Sequence, residues 1–420
     1  MSTTAATADI IPILATADEA TLDADVYNED QGPRKGIFLT FQQASKLITF
    51  HLLNKQLDQL FYFKRGYNNR VYLAHCSDGS EYVIRLGGRF WDYTKIINEA
   101  QALSLARAAL GNIVDVPLFV GTSVEESKVH IDKASRIIPH DYVIMNRLPG
   151  VPLDTVWDGL SQDDKKTIVN QAAEIFSRLR SIELTRIGNF VVGPQDEPKV
   201  GALMEGGGGP FLHWGEFVAA NIQKELRNLT KQGSKFAEII PYLPRIHALL
   251  AKVQSGELEK YFEAKAKEEG EDTPERSTSF LHGDFESRNM LVVGTKITGL
   301  HDFEFAGGFP AEQEWCAGFE WLFARSEDPY DESEQQKLRD MTEDEKEIRE
   351  YFLRVLKERH GLLSYGPGHQ EYKVVLYHCQ SNIAPWWLLD PERNTWTEHQ
   401  IQTLKTAAAS LDKALTYLGC

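Results

Sequence analysis

The sequence predicts an α+β protein with a small, β-rich N-terminal lobe and a larger, mainly helical C-terminal lobe. Three segments between residues 61 and 86 are rich in the aromatic and β-branched residues that are typical of strands. After residue 160, apolar residues recur mainly at helical spacing, in residues 166–182, 214–229, 236–253, 340–359 and 398–418.

The domain organisation follows from these patterns. We divide the 420 residues into an N-terminal extension (1–50), an N-terminal lobe (51–147) and a C-terminal lobe (148–420). The extension is rich in small and acidic residues up to about Asp30, which predicts a loosely ordered arm. With 42% hydrophobic residues, the chain has enough apolar surface for substantial buried cores.

Composition argues against several classes of partner. The net charge of -16 argues against nucleic acid, whose phosphates need a basic face. No run of about 18 apolar residues predicts a membrane span, and the first residues lack the features of a secretory signal. We expect a cytoplasmic protein, because the four cysteines have neither disulfide nor metal spacing. The sequence leaves the oligomeric state open.

The N-terminal strands are predicted around a polar turn. The strands are residues 61–64, 70–74 and 81–86. The turn between the first two, residues 65–69, contains Gly66, Tyr67 and Asn68, and its glycine and asparagines tolerate left-handed backbone conformations. Backbone N–H groups in such a turn can face an anion. An ordinary hairpin turn is the alternative interpretation.

A charged pair is predicted next to these strands. In residues 94–103, Ile96, Glu99 and Leu103 share one helical face. A carboxylate on a packed face needs a partner, and Arg85 on the preceding strand is the natural candidate. The alternative is that Glu99 faces solvent. A further strand, residues 141–148, ends at Pro149 and Gly150.

The most informative segment is residues 281–304. Apolar runs at residues 290–293 and 297–300 flank a turn near Thr295, which predicts a β-hairpin. That register places Asn289 opposite His301 and one step from Asp302. Asp284 lies just upstream, so we expect Asp284, Asn289 and Asp302 to converge.

Such a convergence suits a divalent metal and a base. Mg²⁺ prefers oxygen ligands, which an Asn carbonyl and an Asp carboxylate supply. A third carboxylate outside the metal shell can accept a proton from a hydroxyl. The alternative is a polar loop in which Asp and Asn cap turns.

The motif His282-Gly283-Asp284 with Asn289, followed by His301-Asp302-Phe303-Glu304, resembles the catalytic loop and metal motif of the aminoglycoside phosphotransferase family. That family belongs to the protein-kinase-like superfamily, with choline and ethanolamine kinases among its relatives. The resemblance implies a bilobal protein-kinase-like fold that binds ATP and Mg²⁺ and transfers the γ-phosphate to a hydroxyl of a small molecule. It implies that Asp284 is the catalytic base, that Asn289 and Asp302 bind Mg²⁺, and that His282 supports the loop. Glu304 is a further metal candidate.

The resemblance also implies a nucleotide site between the lobes. Its expected residues are Gly66, Tyr67, Asn68, Val83, Arg85, Glu99, Met145, Asn146 and Leu148, with Met145 at the back of the pocket and Asn146 to Leu148 at the adenine edge. Two features depart from the family pattern. The turn has one glycine, and Arg85 stands where the family usually has lysine, which changes the geometry but not the charge.

An acidic and aromatic segment follows the metal motif, where relatives build the acceptor site. It contains Glu312, Glu314, Trp315, Glu320 and Trp321, which we predict bind the acceptor. Carboxylates beside tryptophans suit an ammonium group, so an amine or amino alcohol is compatible with the acidic composition. A buried helix with an acidic outer face is the alternative.

Two other functions remain open from the sequence. The Arg85 departure and the single glycine are compatible with a nucleotide-binding pseudokinase that acts as a regulatory or scaffold protein. Transfer to protein side chains is a third interpretation, and no recognisable activation segment with a phosphosite supports it.

Overall fold

The N-terminal sheet is the first architectural feature of the computed structural model. The structure describes residues 10–18, 22, 33–66, 68–88, 94–122, 137–193, 197–231, 233–268, 278–317, 329–331, 335–336, 340–360, 371–385 and 397–420. Six antiparallel strands form the sheet in the order β1-β2-β3-β4-β6-β5: β1 (Ile10–Pro12), β2 (Leu57–Phe63), β3 (Arg70–Cys76), β4 (Glu81–Leu86), β5 (Phe119–Gly121) and β6 (Tyr142–Asn146). The strands predicted from residue 61 to 86 and after residue 141 are therefore confirmed.

Part of the predicted extension is built into this lobe. Strand β1 pairs with β2, with Ile10 opposite Phe63. Helix α1 (Phe41–His51) begins at Thr40, which forms a capping box with Gln43. Its buried residues share a core with Ile13 and with the sheet. The expectation of a loosely ordered arm is therefore wrong for residues 10–18, because their apolar side chains have a core to enter.

Helix α2 (Thr94–Leu110) joins the two lobes. Every residue from Lys95 to Leu103 is buried, so this helix has no solvent face over that stretch. It packs against strand β9 (Gly188–Val192) and against the short 3₁₀ turn Phe303–Phe305 of the metal motif. Its polar side chains therefore need internal partners.

The C-terminal lobe is mainly helical, as predicted. Its helices are α3 (Gln162–Arg180), α4 (Trp214–Lys231), α5 (Leu243–Gln254), α6 (Glu257–Glu268), α7 (Glu312–Ala317), α8 (Glu343–His360), α9 (Glu371–Ser381) and α10 (Glu398–Tyr417). Helix α3 begins at Ser161, whose hydroxyl accepts a hydrogen bond from the Asp164 N–H, and its apolar stripe is buried. No helix in the described ranges is long and apolar enough to span a bilayer.

Two small sheets within this lobe support the loops. Their strands are β7 (Val151–Pro152), β8 (Glu183–Leu184), β9, β10 (Pro198–Val200), β11 (Thr278–Leu281), β12 (Met290–Val293), β13 (Lys296–Leu300) and β14 (Gly307–Pro310). The sheet orders are β10-β9-β14-β11-β8 and β13-β12-β7. Apart from the β12–β13 hairpin, these strands were not predicted, since runs of two to five residues are too short to show a period.

Candidate active site

A loop between β11 and β12 carries the predicted catalytic residues. Gly283 has φ of +78°, and a Cβ atom at this position would lie 2.5 Å from the backbone oxygen of Phe305. Both the left-handed conformation and the close approach require glycine. The loop is thereby held against the metal motif.

His282 connects the loop to the metal motif. Its Nδ1 atom accepts a hydrogen bond from the Asp284 N–H over 3.2 Å, and its Nε2 atom lies 3.1 Å from the backbone oxygen of His301. Burial lowers the pKa of His282 to about 3, so the ring is neutral, with its proton on Nε2. These contacts fit the predicted supporting role.

Asp284 is oriented by two neighbours in its own loop. The Nδ2 atom of Asn289 donates to the Asp284 carboxylate over 2.8 Å, and Arg288 reaches both carboxylate oxygens at 3.0 and 3.3 Å. Burial raises the pKa of Asp284 to about 6; Arg288 lowers it and Asp302 raises it. The carboxylate is therefore mainly ionised at neutral pH while keeping useful basicity.

Glu314 lies beneath the loop, although the sequence predicted that it binds the acceptor. Its two carboxylate oxygens accept hydrogen bonds from the N–H groups of His282 and Gly283, each at 2.9 Å. Its side chain is only 2% exposed, and burial raises its pKa, with Arg180 opposing that shift from 3.9 Å. Glu314 therefore supports the loop that carries Asp284 from helix α7.

The predicted hairpin register is confirmed. The His301 N–H donates to the Asn289 oxygen over 3.0 Å, at the open end of the β12–β13 pair. Asp302 follows with φ of +69°, a strained conformation for a residue other than glycine that is common at functional sites. This conformation turns the chain out of β13 and towards the N-terminal lobe.

Asp302 and Asn289 are suited to hold a divalent cation. The Oδ1 atom of Asp302 is buried and ion-paired with Arg85 Nη1 at 3.0 Å, while the side chain as a whole is 28% exposed. Both Asn289 side-chain hydrogen bonds use the amide nitrogen, which leaves its amide oxygen available. Two oxygen atoms of this kind match the ligand preference of Mg²⁺.

Arg85 forms the predicted pair with Glu99 and contacts two further carboxylates. Its Nη1 atom contacts Glu99 and Asp302, and its Nη2 atom lies 3.0 Å from Glu304. Burial raises the pKa of Glu99, which Arg85 opposes. One guanidinium therefore links strand β4, helix α2 and the metal motif.

Glu304 is buried within a cluster of donors. Its carboxylate accepts from Asn68 Nδ2 at 2.6 Å and Asn69 Nδ2 at 2.7 Å, and Lys95 Nζ lies 3.3 Å away. The metal-binding role of Glu304 stays a prediction. Sequence reasoning missed Lys95 and Asn69, although Lys95 lies one helical turn before Glu99 on the same face.

Three of the expected nucleotide residues, Val83, Arg85 and Met145, lie on one face of the sheet. Val83 and Met145 are half-buried directly opposite each other on β4 and β6, and Val83 shares its strand face with Arg85. Gly66 has φ of +103°, as a tight turn requires. Tyr67 lies outside the described residues.

The expected adenine edge is partly engaged within the chain. The Asn146 N–H donates to Asp115 Oδ2 over 2.7 Å, and the Arg147 N–H donates to the Glu81 oxygen over 3.3 Å. Leu148 is half-buried beside Gly299. Contacts from this segment to adenine remain a prediction.

A cavity of about 720 Å³ lies in the C-terminal lobe. Glu312, predicted to bind the acceptor, lines it and lies 3.5 Å from Lys373. Glu216 and Glu259 also line the cavity, together with Trp214, Phe262 and other residues. Glu320, Trp321 and the side chain of Trp315 lie outside the described residues.

Comparison with known proteins decides the family. A model of the phosphotransferase enzyme family matches residues 62–351, which is more than half of the 420-residue chain. The chain belongs to this family. The matched range includes every residue of the candidate site, and the match confirms the resemblance inferred from the motifs. No curated protein sequence matches the chain.

Several solved structures are similar in fold to this phosphotransferase family member. The ADP-bound aminoglycoside phosphotransferase APH(2″)-Ib shares 14% identity, with 90% of this chain and 99% of that chain covered and a TM-score of 0.49. The streptomycin–ATP complex of APH(2″)-IIa shares 14% identity over 91% and 97%, with a TM-score of 0.49. A thermostable mutant of APH(4)-Ia with AMP-PNP and hygromycin B shares 15% identity over 90% and 99%, with a TM-score of 0.46.

Proposed function

We propose that the protein transfers the γ-phosphate of ATP to a hydroxyl group of a small molecule, with Mg²⁺ as cofactor. The observation that carries the proposal is the arrangement of Asp284 and Asn289, bonded at 2.8 Å, beside Asp302 at the end of the hairpin. A base and two metal-suited oxygen donors in one place are what phosphoryl transfer requires.

The residues assigned to the metal are Asp302 and Asn289. When bound, Mg²⁺ supplies positive charge that offsets the negative charge of the phosphate oxygens. Arg85 adds a fixed positive charge next to Asp302. Its three carboxylate partners hold the guanidinium in place, so the site needs little rearrangement when nucleotide enters.

Asp284 performs the proton step. The acceptor oxygen attacks the γ-phosphorus, the bond from that phosphorus to the β–γ bridging oxygen breaks, and ADP leaves. The hydroxyl proton passes to the Asp284 carboxylate. Asn289 and Arg288 orient that carboxylate, and neutral His282 keeps the loop in place without exchanging protons itself.

The acceptor is proposed to enter from the cavity of the C-terminal lobe. Thr278 lines this cavity at the start of β11, and the Asp284 loop follows the end of that strand, about 10 Å further on at the usual rise per residue. Glu216, Glu259 and Glu312 line the cavity together with Lys373, so the charged side chains of the lining are mainly acidic. An acceptor with an amine or another cationic group fits this charge.

An ADP-release screen over amines, amino alcohols, sugars and antibiotics tests the proposal, with product mass confirming phosphate transfer. The Asp284→Asn variant is the blank: turnover should fall by roughly 10²–10⁴-fold, the usual contribution of a positioned base, while MgATP still raises its melting temperature. Full activity in this variant contradicts the assigned role. Nucleotide binding without transfer to any acceptor, even in the wild type, favours the pseudokinase alternative.

A further inference from the structure

The Glu304 carboxylate is one of the points where the two lobes touch. Glu304 belongs to the metal motif of the C-terminal lobe, and the four side-chain partners that it has among the described residues all belong to the N-terminal lobe. Those partners are Asn68 and Asn69 of the turn between β2 and β3, Arg85 of β4 and Lys95 of helix α2, at 2.6, 2.7, 3.0 and 3.3 Å. One side chain thus connects three separate elements.

Burial distinguishes Glu304 from Asp302. The Asp302 side chain is 28% exposed, whereas the side chains of Glu304 and Lys95 are each 1% exposed. Asp302 can therefore meet a ligand that enters from solvent, while Glu304 lies behind it. A buried carboxylate with this many donors is stabilised where it is and is poorly placed to reach a metal ion.

The charges of the cluster explain why Glu304 is needed there. Arg85 and Lys95 approach the same Oε2 atom of Glu304. Burial lowers the pKa of Lys95, whereas Glu304 raises it. Without the carboxylate, the Lys95 ammonium would lose this buried negative charge, while Arg85 would keep Glu99 and Asp302. A buried cation is costly unless it is paired.

The backbone near Glu304 is held separately. Asn98 of helix α2 donates to the backbone oxygens of Glu304 and Ala306 at 2.9 and 3.0 Å, and it accepts from the Phe190 N–H at 2.6 Å. The segment therefore stays attached to helix α2 when only the Glu304 side chain changes. A conservative substitution at Glu304 should still fold.

We infer that Glu304 is a positioning residue. It holds the β2–β3 turn with Asn68 and Asn69, together with Arg85 and Lys95, in the arrangement that binds nucleotide, before nucleotide is bound. The inference rests on the proposed function for the identity of the ligand. Glu304 acts through the donors that it holds, and in this assignment the metal is bound by Asp302 and Asn289 instead. The turn that carries Asn68 and Asn69 is fixed above the metal motif by the same carboxylate.

A double-mutant cycle without nucleotide tests the Glu304 clamp, that is, the Glu304 carboxylate with Asn68, Asn69, Arg85 and Lys95. Glu304→Gln and Lys95→Met should each lower the melting temperature by several degrees, and the double variant should lose clearly less than the sum, because the two opposite charges are then removed together. The exposed pair Lys166 and Glu347, 2.6 Å apart, is the matched control, where Lys166→Met and Glu347→Gln should show little coupling. Additive losses at Glu304 and Lys95 overturn the clamp.

Nucleotide titration distinguishes positioning from metal binding. Glu304→Gln should weaken ADP binding by about tenfold both with and without Mg²⁺, which corresponds to about 1.4 kcal/mol. Asp302→Asn should weaken binding chiefly when Mg²⁺ is present. A loss in Glu304→Gln that appears only with Mg²⁺ makes Glu304 a metal ligand, and tighter ADP binding makes it a competitor of phosphate; either result overturns the inference. If wild-type protein fails to bind ADP, the proposed function fails, while the thermal coupling still reports on the clamp.

Discussion

The side chain of Asn289 donates two hydrogen bonds to Asp284, one to the carboxylate and one to the backbone oxygen, both at 2.8 Å. A residue predicted as a metal ligand therefore also fixes the base and the loop that carries it. Its amide nitrogen serves Asp284 and its amide oxygen is available to a cation. If Asn289 binds the proposed metal, the position of the metal and the orientation of Asp284 are coupled through this one side chain.

The rate should depend on the ionisation of Asp284. Burial raises the pKa of this carboxyl to about 6, and a base accepts a proton only when it is ionised. We therefore expect kcat/KM to be constant above this pKa and to fall about tenfold per pH unit below it. Initial rates between pH 4.5 and 8, with MgATP and an active acceptor, measure the profile.

Arg288 determines the pH at which this low-pH fall in kcat/KM (the acid limb of the profile) begins. Its guanidinium stabilises the ionised carboxylate and lowers the pKa of Asp284. Arg288→Met should therefore move the limb to higher pH, so that the variant is most impaired in mild acid. Arg178→Met is a matched control, since Arg178 also pairs with a carboxylate four residues away but on the surface. A limb that stays in place or moves to lower pH contradicts the assignment of Asp284 as base.

Arg85→Lys should not restore the usual family pattern in this chain. Arginine uses two nitrogen atoms to reach Glu99, Asp302 and Glu304, whereas lysine has a single, differently placed nitrogen. We expect kcat/KM to fall by roughly tenfold to a hundredfold, because at least one buried carboxylate loses its partner. Steady-state kinetics with MgATP measure the change. Equal or higher activity shows that the guanidinium geometry is dispensable.

The sequence predicted the local parts of this site better than its distant contacts. The hairpin follows from two apolar runs around a turn, and the pair of Arg85 and Glu99 follows from a helical face that requires a buried carboxylate to find a cation. The partners of Glu304 and Glu314 could not be found in this way. Glu304 meets Asn68 across 236 positions of the chain, and such a contact leaves no periodic pattern.

The role of Glu314 also could not be predicted from the sequence. Helix α7 places Glu312 at the cavity and Glu314 under the loop, although the two residues are only two positions apart. Residues two apart on a helix point in different directions, so a single acidic segment serves two purposes. Its acidic and aromatic composition favoured one role for all of its members.

Substitution of Glu314 should affect turnover rather than acceptor affinity. Glu314→Gln keeps the size of the side chain but removes the negative charge that accepts from His282 and Gly283. We expect a loss of about 1–3 kcal/mol in the free energy of unfolding and a lower kcat, with little change in the acceptor KM. The exposed Glu174→Gln is the control. A raised acceptor KM with normal kcat supports the original prediction instead.

Glycine at position 283 can be tested against a second glycine of similar backbone conformation. Gly283 and Gly294 have φ of +78° and +62°, but a Cβ atom would lie 2.5 Å from the Phe305 oxygen at Gly283 and would meet nothing within 4 Å at Gly294. Gly294→Ala should cost about 1–2 kcal/mol of unfolding free energy, since only the left-handed conformation is penalised. Gly283→Ala should cost clearly more and should also lower kcat, because the loop must move away from the metal motif. Urea unfolding and steady-state kinetics on both variants measure the difference, and equal costs would show that the loop has room to shift.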